Sequence, residues 1–340
     1  MNFYRALRPL FFRLNPELAH NLTIKLLSLT PWLLPKIPST GPERQLMGLN
    51  FKNNLGLAAG LDKDGHALSA WQRLGFGHIE LGTVTPLAQP GNGKPRLFRL
   101  PEHRAIINRM GFNNEGVGPL VGRLRQFQRR GLIVGVNLGK NKQTANEDAL
   151  SDYLLGLQAA YEVADYLTIN VSSPNTVGLR DLQRREELGR LLYGLKEGQQ
   201  EQQNLSGKYT PLVLKIAPDN SDEELMAIIE GLREYQLDGV ICTNTTLDRA
   251  EVITHKYGKE PGGLSGEPLR ARATAVVRKV RRALPTICIF AAGGVMARAD
   301  FEEKLEAGAD LVQIYSGLIY EGPELIRDCL KSAKPLGAQP

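Results

Sequence analysis

Cysteine is scarce: Cys242, Cys288 and Cys329 are the only three in 340 residues. Their spacing is neither paired nor metal-like, which argues against a disulfide framework, gives no metal site and points to a reducing compartment. Aromatic residues make up only 6%, too few for the stacking platforms of a nucleic-acid groove. No apolar run reaches the length of about 18 residues that a membrane-spanning helix needs, and the start shows no apolar stretch followed by a small-residue cleavage site, so no secretory signal is expected. A G-x-G-x-x-G after the first apolar run is missing, and with it the dinucleotide fingerprint. Acidic residues are few at one end, where residues 1–44 hold six Lys/Arg against Glu17 and Glu43, so most of the +6 formal charge sits there. With 42% hydrophobic content, the chain can bury a large core, as one α/β barrel with an appendage or as two domains.

Phe3, Leu7, Leu10, Phe11 and Leu14 recur at helical spacing, with Arg5, Arg8 and Arg13 largely off that stripe. Asn15-Pro16 supplies a cap and a first-turn proline for a second helix, whose Leu18, Leu22, Leu26 and Leu29 share one face until Thr30-Pro31. A basic, amphipathic two-helix hairpin over residues 1–38 is therefore expected, with the prolines at 31, 35, 38 and 42 as linker. Its apolar stripes either dock on the core or meet a lipid surface. From residue 39 on, apolar runs alternate with helical patterns: Leu55–Leu61, His78–Val84, Leu132–Leu138, Tyr166–Val171, Leu212–Ala217, Gly239–Thr243, Ile287–Ala292 and Leu311–Tyr315. Eight such units predict a closed (β/α)8 TIM barrel, with an open eight-stranded sheet as the structural rival. Thr85–Gly118 and Leu247–Pro268 are insertions long enough to be functional loops on the catalytic face.

Asn170-Val171-Ser172-Ser173-Pro174-Asn175-Thr176 places five hydrogen-bonding side chains besides Val171 and Pro174 behind an apolar strand. In isolation this reads as an Asx/Ser turn. Two asparagines, each with an acceptor and two donors, also suit a ligand edge that alternates carbonyl and N–H, such as a pyrimidine or another cyclic imide. The other strand ends favour the ligand: Lys63, Thr83, Asn137, Lys215, Thr243-Asn244, Gly293-Gly294 and Tyr315-Ser316-Gly317. In a barrel these ends converge on one mouth. The late glycines, Gly266 among them, each precede a predicted helix and suit a phosphate.

Asn108-Arg109-Met110-Gly111-Phe112-Asn113, Gly139-Lys140-Asn141-Lys142, Lys215-Ile216-Ala217-Pro218 and Thr243-Asn244-Thr245-Thr246, together with the Ser173 segment, occur in one order from about Leu46 to Leu330. In this the chain resembles the dihydroorotate dehydrogenases, flavin enzymes of pyrimidine synthesis. The resemblance implies bound FMN, contacted by Ala59, Gly60, Lys63, Thr83, Asn137, Asn170, Lys215, Thr243, Gly266, Gly294, Tyr315 and Ser316. It implies a dihydroorotate site at Lys63, Asn108, Arg109, Met110, Gly111, Phe112, Asn170, Asn175, Asn244 and Thr245. Ser173 becomes the general base at ring carbon five, with Thr176 and a water sheltered by Phe112 as proton relay. Members that pass electrons to fumarate or a partner subunit typically carry cysteine at that position and lack the helical extension; Ser173 and the hairpin match the membrane-associated, quinone-reducing class. For that class a quinone path past His20, Arg99 and Tyr315 is implied, with peripheral attachment to anionic lipid on the cytoplasmic face of a bacterial inner membrane. Phe11 stands where some relatives have a polar residue. Neither nucleic acid nor an obligatory protein partner is expected. The rivals are another FMN barrel, such as a tRNA dihydrouridine synthase, and a non-enzymatic lipid-surface module.

Overall fold

Short apolar strands flanked by glycine-rich turns leave the barrel strands buried on both faces, a pattern that parallel sheets require. The computed structural model describes residues 3–331, with the Phe3 side chain outside the described set. Thirteen strands are described. β1 (Arg44–Leu46) and β2 (Leu49–Phe51) form an antiparallel hairpin. β3 (Leu55–Leu57), β4 (His78–Val84), β7 (Ile133–Leu138), β8 (Tyr166–Asn170), β9 (Leu212–Ile216), β10 (Gly239–Cys242), β12 (Cys288–Ala292) and β13 (Leu311–Ile314) are all parallel neighbours and close into one barrel through the β13–β3 pairing. Closure decides for the barrel over the open sheet.

Two cores hold it. Outward strand residues such as Leu57, Ile79, Val136 and Leu214 pack under the helices. Inward residues Tyr166, Val213, Ile241, Phe290 and Leu311 fill the barrel, and Phe51 of β2 joins them, packing edge-on to His78 at 5.6 Å and Phe290 at 6.4 Å.

Three features differ from the sequence reading. The first strand ends at Leu57, so Ala58–Leu61 is loop. The insertions are partly sheet: β5 (Leu97–Leu100) and β6 (Ala105–Asn108) from the first pair antiparallel, and β11 (Gly263–Gly266) from the second adds to β6. Gly317 lies inside the helix Ser316–Glu321 rather than before it.

The hairpin is α1 (Phe3–Arg13) and α2 (Pro16–Leu29), with Asn15 Oδ1 accepting from the Glu17 and Leu18 amides as the N-cap. Here the leucine stripe faces the other way from a docked helix. Leu18, Leu22, Leu26 and Leu29 stay 40–58% exposed, while Ile24 and Leu27 pack on the core and Glu17 and Ala19 are buried. Glu17 decides this orientation, because it forms a buried ion pair with Arg96 (2.7 Å) in the first insertion. Burial pushes the Glu17 carboxyl up, but the hydrogen bonds and charges of Arg96 and Lys94 together outweigh it and hold the group below its usual range.

Candidate active site

The carboxyl ends of the barrel strands open on a cavity of about 1010 Å³. After β3 it is lined by Ala59, Gly60 and Lys63, and at β4 by Thr83. β8 and its loop contribute Asn170, Ser173 and Asn175, β9 contributes Lys215, and the β10 end contributes Thr243, Asn244 and Thr245. Gly294 follows β12, and Tyr315 with Ser316 follows β13. The insertion sheet covers the mouth with Asn108, Met110, Gly111, Phe112 and Gly266. Three expected residues do not reach the wall. Asn137 is wholly buried beneath it, Thr176 is buried within the Ser173 loop, and Arg109 turns to Glu260 (2.7 Å) and the Phe98 ring (4.6 Å). Asn141 instead braces loops, donating to Thr85, Leu87 and Gln89.

The amides are oriented by one directed chain of hydrogen bonds. Glu80, fully buried in the barrel, accepts from Asn137 Nδ2 at 2.8 Å. Asn137 Oδ1 accepts from Thr83 Oγ1 and, at 3.2 Å, from Asn170 Nδ2. Asn170 Oδ1 then accepts from the Ser172 hydroxyl (2.9 Å) and Asn244 Nδ2 (3.4 Å), and Asn244 Oδ1 from the Thr245 amide (2.8 Å). Glu80 accepts at the head of this chain, so every amide along it has one consistent orientation. Asn175 donates to Asn108 Oδ1 at 3.1 Å, and its own Oδ1 is buried without a partner. Such an atom is costly unless a ligand N–H meets it.

Ser173 Oγ accepts from the Asn175 amide at 3.3 Å. Its loop is held by Arg180, which donates to the Ser172 carbonyl (3.0 Å), the Thr245 carbonyl (2.9 Å) and Asp219 (2.9 Å). Lys63 is partly buried, with its ammonium on Asn113 Oδ1. Burial lowers the Lys63 pKa to about 8, and the Arg96 charge adds to the shift.

A second cavity, about 1300 Å³ and walled chiefly by apolar side chains, lies between the hairpin and the barrel. His20, Arg99 and Tyr315 all line it. Tyr315 lines the polar cavity too, so one side chain borders both spaces. Burial pushes its hydroxyl up to about 12 and the His20 imidazole down to about 4, so both are neutral near pH 7. Arg99 donates to the Phe11 carbonyl (3.1 Å) and to that of Leu14, closing the end of α1.

The polar cavity fits FMN. Its floor carries donors, Lys215 among them, and one acceptor without a partner, Gln313 Oε1. Its rim is backbone where side chains are excluded: Gly266 (φ 97°) and Gly294 (φ 78°) take left-handed angles, and an added Cβ would lie 2.3 Å from the Arg104 carbonyl oxygen and 2.4 Å from Arg270 Cα respectively. Close approach of backbone to a phosphate needs such positions. Sequence reasoning missed Glu80, Arg180 and Gln313. The first and last are inward polar residues inside largely apolar strands; a charge at the third position of β4 was the available signal. Asp64, His66 and Glu115 bring ligand-type atoms within 4.8 Å of one another, but Arg123 already pairs with Glu115.

A profile of the dihydroorotate dehydrogenase family matches residues 43–334. The chain is 53% identical to the dihydroorotate dehydrogenase (quinone) of Dichelobacter nodosus, over 98% of this chain and 99% of that one. It is 51% identical to the protein of the same name from Chromobacterium violaceum, over 97% of each. Among solved structures, ligand-free dihydroorotate dehydrogenase of Eimeria tenella superposes with a TM-score of 0.87 at 38% identity, covering 93% of both chains. On the profile and on identities of this size over nearly the full length, the chain belongs to the dihydroorotate dehydrogenase family.

Proposed function

We propose that this chain oxidises (S)-dihydroorotate to orotate on bound FMN and passes the two electrons to a membrane quinone, as a step of pyrimidine synthesis. One observation carries the reading: a polar cavity holding Ser173 and four asparagines shares Tyr315 with an apolar cavity beneath an amphipathic hairpin. FMN would supply a two-electron acceptor at the polar cavity. Gly266, Gly294 and Ser316 would hold its phosphate, and Thr83, Asn170, Lys215 and Thr243 would meet its ring. Asn108, Asn170, Asn175 and Asn244 read the substrate's amide edges, and Asn175 Oδ1 is the acceptor left for an N–H. Lys63 offsets the carboxylate. Ser173 takes the proton from ring carbon five and passes it towards Thr176, because a serine hydroxyl is too weak a base to keep it.

Quinone enters beside His20 and Arg99. The hairpin rests on the cytoplasmic face of the inner membrane, with its exposed leucines in the headgroup boundary and Arg13 and Lys25 towards anionic lipid. Among the described residues no helix is long and apolar enough to cross a membrane.

The test is anaerobic. The purified protein should carry FMN by mass spectrometry, and dihydroorotate should bleach its absorbance with one orotate formed per flavin. FAD as the cofactor, or a flavin that stays oxidised, overturns the reading.

A further inference from the structure

Glu80 is wholly buried, and none of the chemistry proposed so far uses it. Five donors surround its carboxylate: Asn137 Nδ2 (2.8 Å), Gln313 Nε2 (3.0 Å), Thr168 Oγ1 (3.2 Å), the Tyr166 hydroxyl (3.3 Å) and Lys215 Nζ (3.4 Å). Packing does not account for it, since the barrel is otherwise filled by residues such as Ile241 and Leu311, and a desolvated carboxylate is costly where an apolar side chain is not. Lys215 and Gln313 line the cavity above while gripping Glu80 below.

We propose that Glu80 is a positioning residue that fixes the Lys215 ammonium beneath the flavin and cancels much of its charge, setting how strongly the site favours reduced FMN. This rests on the contact of Lys215 with the flavin ring given under Proposed function. An ammonium under a ring that gains electron density on reduction stabilises the reduced form, and in a low-dielectric interior that influence is large. A carboxylate 3.4 Å away opposes it. A carrier that must take electrons from dihydroorotate and release them to quinone needs that balance, because a flavin held too firmly in its reduced form fills readily and empties slowly.

Reduction potentials of bound FMN, measured against a reference dye in folded, flavin-loaded variants, test this. Glu80→Gln should shift the oxidised-to-reduced equilibrium at least about tenfold towards reduced, about 30 mV upward for two electrons, and slow reoxidation by quinone. Lys215→Met should shift it downward, and the double variant should lie between the two single variants. A merely structural role would lower flavin content and slow both half-reactions with no upward shift. An unchanged or lowered potential in Glu80→Gln overturns the proposal. An unchanged potential in Lys215→Met instead overturns the flavin placement. Where Glu80→Gln does not keep its flavin, the comparison is Lys215→Met with the double variant, and a double variant no higher in potential overturns the role of Glu80.

Discussion

Ser173 and Lys63 are the residues whose chemistry is most exposed to test. Ser173→Ala removes the proton acceptor proposed for carbon five, so flavin reduction by dihydroorotate should slow at least about 100-fold while FMN content stays the same. Near-normal single-turnover reduction would remove Ser173 from the mechanism. Lys63 makes a pH prediction. Its pKa, lowered by burial and then by Arg96 to about 8, means the ammonium is already present below pH 8 and must take up a proton to meet an anionic ligand above it. Orotate affinity should therefore be flat towards acid and fall by up to about tenfold per unit above pH 8, as one-proton linkage requires; Lys63→Met should abolish the slope. A flat profile in the parent protein contradicts the role. At this scale the sequence showed what stands at strand ends, since Lys215 and Thr243 break apolar runs. It did not show Glu80, which sits within such a run, nor that Glu260 and Phe98 draw the Arg109 side chain away from the cavity.

Between residue and molecule stand the Ser173 loop and the hairpin, in each of which an arginine ties separate segments together. Arg180 gathers the loops after β8, β9 and β10 by two backbone carbonyls and Asp219. Arg180→Ala should slow flavin reduction by roughly tenfold or more, as loss of a positioning contact does, and leave reoxidation by quinone intact. Lysine cannot present the same planar fork of donors, so Arg180→Lys should recover little. Stopped-flow traces of the two half-reactions decide, and equal slowing of both would point to general unfolding. Glu17 ties α2 to Arg96, and removing one partner of a buried pair costs about 3 kcal/mol. Because the Glu17 carboxyl is held below its ordinary range, its contribution is full above the unfolded value and lost as pH falls through the folded one. The melting-temperature gap between the parent and Glu17→Gln should accordingly be wide at neutral pH and close in acid. The leucine stripe of α2 was visible as a period in the sequence, but its direction was not. Helical spacing cannot tell a docked face from one turned outward; the polar residue Glu17, with a buried partner 79 positions away, set the orientation.

At the scale of the whole molecule, the alternation of strand and helix gave the barrel, and closure follows from eight parallel pairings. The pairing of the two insertions through β6 and β11 lay beyond sequence reading, because antiparallel partners about 155 residues apart leave no local signal. The role proposed for the hairpin assigns it to the reducing half-reaction and the barrel to the oxidising one. A chain begun near Ser39 should still be reduced by dihydroorotate and reduce long-chain quinone poorly. That truncation also strips Glu17 from Arg96 and Phe11 from Arg99, so exposed leucines make the cleaner test. Leu18, Leu22 and Leu29 changed together to glutamine should weaken binding to anionic vesicles at least about tenfold, since one buried leucine is worth about that much. Flavin reduction should not change, and vesicle binding should fall further as salt rises. Undiminished sedimentation with vesicles would leave the hairpin a structural cap.

The most direct measurement follows dihydroorotate and quinone together: anaerobic turnover of the FMN-loaded protein in lipid vesicles, counting orotate and quinol. One quinol for each orotate, with no turnover when fumarate or a nicotinamide nucleotide replaces the quinone, is the result this account predicts. Orotate formed with fumarate or nicotinamide as acceptor while quinone stays oxidised, or no orotate at all, would contradict it.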